Sequence, residues 1–181
     1  MTKPSKNSFQ IATLKLIPFV EQVHLAILKE WITTQEELVR FAGPCAFSFP
    51  LSDEAWRQFL EIDANNRLSY MATHTQTGDP LGFAQIKTIN SHTKRLCRLL
   101  IGASANRGQG LGKQLVLALL RICFEDPKTT CVDLNVYDHN VHAIRCYTQC
   151  GFKEVLETQP NQTSTMLWKA IRMVRSRENG E

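Results

Sequence analysis

With 181 residues, 43% of them apolar and 21% charged, the chain has the size and make-up of one soluble globular domain with a substantial core. The net charge of +4 is mild, and the basic clusters, Lys94-Arg95 with Arg98 and Arg172 to Arg177, are not interleaved with aromatics, which argues against nucleic acid as a partner. No apolar run is long enough to span a bilayer, the first ten residues lack a signal-peptide core, and the six cysteines (45, 97, 123, 131, 146 and 150) mostly fall in apolar patterns, so the expectation is a cytoplasmic protein with reduced thiols and no membrane partner.

In chain order, residues 1–7 are polar. Phe9 to Ile17 reads as a strand. Pro18 is expected to open a helix carrying Val20, Val23, Ile27, Leu28 and Trp31 on one face, and Thr34 to Ala42 a second, stopped by Gly43-Pro44. After an apolar loop, Ala46 to Leu51, Ser52 is placed to cap a third helix that has Asp53 and Glu54 in its first turn and Trp56, Phe59 and Leu60 on one face. That helix is expected to run to about Ala64.

From Leu68 the pattern changes. Leu68 to Thr75 and Leu81 to Ile89 are strands joined by the Gly- and Pro-bearing turn Gln76 to Pro80, and a third strand, Arg95 to Gly102, follows a second turn. Leu111 to Phe124, apolar round most of its circumference, predicts a helix buried against the sheet and ended by Pro127. Thr130 to Val136 is a strand and Asn140 to Cys150 a helix with Gly151 at its C′ position. Phe152 to Thr158 and Thr163 to Ile171 are expected to pair as closing strands, leaving the last ten residues frayed. One mixed α/β domain results, with no internal repeat or linker.

The chemistry concentrates at Arg107-Gly108-Gln109-Gly110-Leu111-Gly112-Lys113, a glycine-rich turn between a strand and a long helix. At such a helix start, several N–H groups lack intrahelical partners and the helix dipole is positive, so the turn suits an anion and most naturally a phosphate. A P-loop requires glycine at Arg107 and Ser or Thr at Gln114, and the dinucleotide fingerprint requires glycine at Lys113; both fail. The pattern that fits is Arg-x-x-Gly-x-Gly, with Arg107, Gly110 and Gly112. A second block matches at Val136, Asn140, Ala143, Tyr147, Gly151 and Phe152: a strand, an Asn opening a helix, Ala-Ile, a Tyr, then Gly-Phe.

Together these blocks resemble the GNAT superfamily of N-acetyltransferases, in an overall layout similar to that of ribosomal-protein N-terminal acetyltransferases. The resemblance covers about residues 68–170. It implies a GNAT-like fold over residues 1–181, α/β (α+β), with a central mixed, mostly antiparallel sheet flanked by helices. The coenzyme-binding core would lie at about 95–152 and substrate-side helices at about 18–64. It implies acetyl-coenzyme A as co-substrate, no metal, and transfer of acetyl to a primary amine by direct attack. A catalytically inactive acyl-coenzyme A sensor is the alternative. The backbone of Leu100, Ile101 and Gly102 would lie beside the pantetheine and acetyl group, and Arg107, Gly108, Gln109, Gly110, Leu111, Gly112 and Lys113 would take the pyrophosphate. Asn140 would contact the coenzyme or cap its helix. Tyr147 matches the family's general acid.

No residue is assigned as base. Where similar N-terminal acetyltransferases have Glu this chain has Asn135, and His74, His92, His139 and Asp133 are the remaining titratable groups. A lysine-type amine is only about one part in two thousand neutral at pH 7, whereas an α-amino group needs far less help, so the missing carboxylate leans towards a lower-pKa amine. His139, His142, Cys146 and Cys150 have helical spacing, but one straight helix does not close a tetrahedral metal site. Trp31, Phe41, Phe47 and Trp56 are candidates for core or amine pocket. The acceptor stays open between a small molecule and a protein N-terminus, with room for a homodimer.

Overall fold

The computed structural model describes residues 13–43, 47–62, 64–103, 106–156 and 168–177. In chain order the elements are β1 (Leu14–Pro18), α1 (Glu21–Glu30), α2 (Gln35–Ala42), α3 (Asp53–Glu61), β2 (Arg67–His74), β3 (Pro80–Thr88), β4 (Thr93–Ile101), α4 (Leu111–Glu125), β5 (Cys131–Tyr137), α5 (Val141–Gln149), β6 (Lys153–Val155) and β7 (Ala170–Ser176). The strands form one sheet in the order β1-β2-β3-β4-β5-β7-β6. Every neighbouring pair is antiparallel except β4 with β5. The mixed, mostly antiparallel α/β architecture expected from the sequence is present.

Each sheet face has its own apolar core. Leu111, Leu115, Leu119 and Cys123 of α4 pack on Ile86, Leu96, Leu134 and Met173. On the reverse face, Leu28 of α1, Leu38 and Phe41 of α2, and Trp56 and Phe59 of α3 close over Phe83, with Leu100 at the margin. Local chemistry sets the helix starts: Thr34 accepts from the Glu37 N–H, and Ser52 from the Ala55 N–H.

Three expectations are corrected. Pro18 ends β1 instead of opening α1; on an edge strand its missing N–H costs no ladder bond on the solvent side. The buried face of α1 is His24, Leu25 and Leu28, and Val20 and Val23 face solvent. The closing strand lies later than expected, at Ala170–Ser176, so Arg172 to Ser176 do not fray: β7 runs between β5 and β6. Its alternation buries Met173, while Arg172 bonds to Asp133 and Arg175 to the Cys150 carbonyl. The third helix stops at Glu61, just before the expected end near Ala64; residues 1–7, residues 9–12, 157–158 and 163–167 of the expected strands, Pro44, Cys45, Ala46 and residues 178–181 lie outside the described residues.

Candidate active site

The site forms where β4 and β5 part. Their parallel pairing runs from Thr93–Cys131 to Leu96–Leu134. Immediately beyond, β4 carries one extra residue: Gln85 pairs with Cys97 but Phe83 with Leu100. The bulge centres on Arg98, at φ 52 in the left-handed region. This costly conformation is held by α3, because the Arg98 guanidinium lies 3.6 Å from the centre of the Phe59 ring and donates to the Phe59 carbonyl at 3.2 Å. The bulge resets the alternation, turning Leu99 and Ile101 towards α4 and α5 and Leu100 towards α1–α3. Between the separated strands opens a cleft of about 830 Å³, lined on one wall by Cys97 to Ile101 and on the other by Asn135 to Tyr137.

The glycine-rich turn closes one end of the cleft. Gly108 and Gly110 sit at φ 78 and 79, in the left-handed region, and a Cβ at either position meets nothing within 4 Å; the backbone conformation, not crowding, requires glycine. Gly110 is the N-cap of α4 and has no side chain to satisfy the first-turn N–H groups, so these stay available at the positive end of a 15-residue helix. At Gly102 the reason is contact: a Cβ would stand 2.3 Å from the Trp31 indole. Trp31 therefore lies on the backbone at the mouth of the cleft, and of the four aromatic candidates only Trp31 and Phe41 line it. Phe47 and Trp56 belong to the core.

Asn140 caps α5, its Oδ1 accepting from the Ala143 N–H at 3.4 Å, and its side also lines the cleft. Tyr147 lies half-buried about two turns further along α5, its ring edge against Phe152 at 6.1 Å. Burial first, then the neighbouring Cys146 and Cys150, hold its phenol well above its ordinary ionisation range. At working pH it is a proton donor. Cys146 is opposite in character: a hydrogen bond from Cys150 brings its thiol below the usual value against the pull of burial. The cleft thus gathers Leu100, Ile101, Arg107, Gly108, Gly110, Gly112, Lys113, Asn140 and Tyr147 of the expected site; Gly102, Gln109 and Leu111 do not line it, and the Leu111 side chain is buried in the core under the sheet.

The titratable groups left open for the base are occupied elsewhere. His74 accepts from the turn N–H groups of Gln76 and Thr77, His92 contacts the Lys128 carbonyl at 3.0 Å, and His139 stacks on Tyr137. Asp133 is fully buried and accepts from both Arg95 and Arg172 at 2.7–2.8 Å. Glu37 is the one carboxylate among the described lining residues, and the sequence offered no sign of it. The Thr33 N–H, then its hydroxyl, Arg107 and Arg40, hold it below the usual carboxylate range, so it is a weak base. Its reach to Arg107, 4.0 Å, ties α2 to the glycine turn. Among the described residues no group of three His, Cys, Asp or Glu is placed to hold a metal ion, and no helix is long and apolar enough to cross a membrane.

A family profile described as Acetyltransferase (GNAT) family matches residues 30–152. An aminoglycoside N(6')-acetyltransferase type 1 from Klebsiella pneumoniae is 27% identical over 191 residues, spanning 95% of this chain and 86% of the relative. Among solved structures, AAC(6')-Ib in complex with ribostamycin and coenzyme A superposes with a TM-score of 0.73 at 24% identity, covering 91% of this chain and 94% of that one. A spermidine N-acetyltransferase from Vibrio cholerae in complex with CoA and spermine gives 0.71 at 17% identity, covering 91% and 96%. These relatives are named for transfer to an amine, which favours transfer over a silent coenzyme sensor. With its split parallel pair, glycine turn and profile match, the chain belongs to the GNAT acetyltransferase family and is an acetyl-coenzyme A-dependent N-acetyltransferase.

Proposed function

We propose that the protein acetylates the primary amine of a small molecule. The observation that carries this is the cleft between the parted strands, which brings the glycine turn, the bare β4 edge and Tyr147 together. The relatives' names, an aminoglycoside and a spermidine acetyltransferase, support a small acceptor over a protein N-terminus.

The coenzyme's pyrophosphate lies on the N–H groups from Gly108 to Lys113, with the Arg107 and Lys113 side chains adding charge. Beyond Leu96, the β5-facing edge of β4 is released from pairing, so the backbone of Leu100 to Gly102 can meet the pantetheine amides as another strand would. The free amine attacks the thioester carbonyl, and the C–N bond forms as the carbonyl π electrons move to oxygen. Collapse of that intermediate breaks the C–S bond. The leaving thiolate takes a hydrogen bond from the Tyr147 hydroxyl, and the ammonium proton leaves to water, since no carboxylate among the described lining residues is basic enough to hold it. Reference values near 8.5 for a thiol and 10 for a phenol make full proton transfer uphill by roughly 2 kcal/mol, so donation without transfer suffices.

Two measurements test the reading. Acetyl-coenzyme A at a hundred times its dissociation constant should stabilise the fold by about 2.7 kcal/mol, seen as a rise in melting temperature. Release of free thiol should then depend on added amine. Stabilisation without amine-dependent release from any small amine would overturn the transfer reading.

A further inference from the structure

Cys146 and Cys150, at the end of α5, stand beside the glycine turn and have no part in the transfer described above. Four residues apart, they share one side of the helix. That side meets the first turn of α4. The Cys146 sulfur lies 3.6 Å from where a Cβ on Gly112 would stand, and the Cys150 thiol is 3.9 Å from the Lys113 carbonyl. Cys150 is buried, whereas Cys146 is half-buried and lines the cleft. Gly112 has no side chain to come between the Cys146 sulfur and the backbone of the turn. With that backbone on one side of the sulfur and Cys150 on another, a group joined to it extends into the cleft.

The five described cysteines differ in what they can do. Burial pushes the Cys97 and Cys131 thiols up, and Cys123 up to about 12. The hydrogen bond to Cys146, then burial, pushes Cys150 up as well. Cys146 is the one described thiol brought down, by the hydrogen bond from Cys150 and then by the Lys113 charge, against the pull of burial. It also touches the first turn of α4, where the positive end of the helix dipole favours a thiolate. A half-exposed thiol in such surroundings is the kind that exchanges with disulfides, because the thiolate is the attacking species. The cleft, at about 830 Å³, gives a small molecule room to reach it.

We propose that Cys146 is a covalent modification site, which takes up half of a low-molecular-weight disulfide and thereby fills the coenzyme's pyrophosphate seat. The Cys146 thiolate attacks one sulfur of the disulfide. That S–S bond breaks as a new one forms to Sγ, and the second half leaves as a thiolate that takes up the proton Cys146 released. The Cys146 sulfur is oxidised and the leaving thiol reduced, so the disulfide is the only oxidant. Cys150, buried and held protonated, does not displace the adduct, and an external thiol removes it by the reverse exchange. The blocking effect rests on the placement of the pyrophosphate on the turn proposed above.

The full chain should be incubated with oxidised glutathione and followed by intact mass and peptide mapping. A glutathionyl group on Cys146 is expected. With acetyl-coenzyme A at a hundred times its dissociation constant, only about 1% of the chain has the seat free, so the adduct should form roughly 100-fold more slowly. The modified chain should lose the rise in melting temperature that acetyl-coenzyme A gives the untreated chain, and dithiothreitol should restore it. Cys146→Ser should respond to acetyl-coenzyme A equally before and after the treatment; if that variant does not fold, the peptide map and the protection by coenzyme carry the test. No adduct, an adduct only on other cysteines, a Cys146–Cys150 disulfide in its place, or a modified chain that still responds fully to the coenzyme would overturn the proposal. An untreated chain with no response to acetyl-coenzyme A would overturn the coenzyme reading and the blocking effect with it, a failure that the melting curves show apart from the mass of the adduct.

Discussion

At the scale of single residues, environment rather than identity sets what a group can do. Tyr147 and Tyr137 are both tyrosines lining the cleft, yet Tyr137 is packed against both His139 and Trp168, whereas Tyr147 sits half-buried with its ionisation suppressed by burial. A phenol kept neutral is fitted to donate to a developing thiolate. Tyr147→Phe keeps the ring and its contact with Phe152 and removes only that donor. Loss of one such donor costs about 100-fold in kcat, so steady-state kinetics should show a fall of that order with the acetyl-coenzyme A melting shift retained. A change in KM alone would mean that Tyr147 only shapes the cleft. Asn140 and Tyr147, which both line the cleft, could be singled out from the sequence because their spacing follows a motif. Glu37 could not, since nothing in a helix reading Gln-Glu-Glu-Leu says which glutamate will face the glycine turn.

At the scale of elements, α1 and β4 are joined through one close approach. Trp31, the C-cap of α1, covers Gly102 at the end of β4, and a methyl group there would enter the indole. Gly102→Ala must push Trp31 aside and should lower the melting temperature. The residues share one contact, so a double-mutant cycle with Trp31→Ala should be non-additive: the pair should cost at least 0.5 kcal/mol less than the sum of the single changes. Additive costs would show that the contact carries no strain. The glycine turn was readable from sequence because three glycines in five positions leave few alternatives. The bulge at Arg98 was not, since a non-glycine residue reaches φ 52 only where α3 supplies the ring and carbonyl that hold it.

At the scale of the whole molecule, buried titratable groups set the pH range of stability. Burial lowers His24 below its ordinary 6.5; its Nδ1 accepts from the Val20 N–H at 2.9 Å and must be unprotonated to do so. Below about pH 6.5 the unfolded chain takes up this proton before the folded one, so stability falls with pH. Cys123, on the buried face of α4, is pushed from an ordinary 9.0 up to about 12. Above about pH 9 the unfolded thiol ionises first, and stability falls again until the folded thiol follows near 12; Tyr147 adds to this loss above about pH 10. Denaturant melts across pH should therefore show a plateau between about pH 6.5 and 9. Replacing His24 with Gln should flatten the acid side, and an unchanged acid limb would remove His24 from the account.

The sequence by itself determined the order of helices and strands through β5 and α5, the buried character of α4, the glycine turn and the family to which they belong. These are set by periodicity, caps and glycine spacing within short windows, where local physics is strong enough to be read. Only the tertiary structure decided the rest. It turned the charged tail into an interior strand, because Asp133 and the Cys150 carbonyl were waiting for Arg172 and Arg175. It also drew Arg67, Lys87 and Arg95, distant in sequence, into one row across β2, β3 and β4. Charge acts through space, and the distances between charges depend on strand register, which no single stretch of sequence contains.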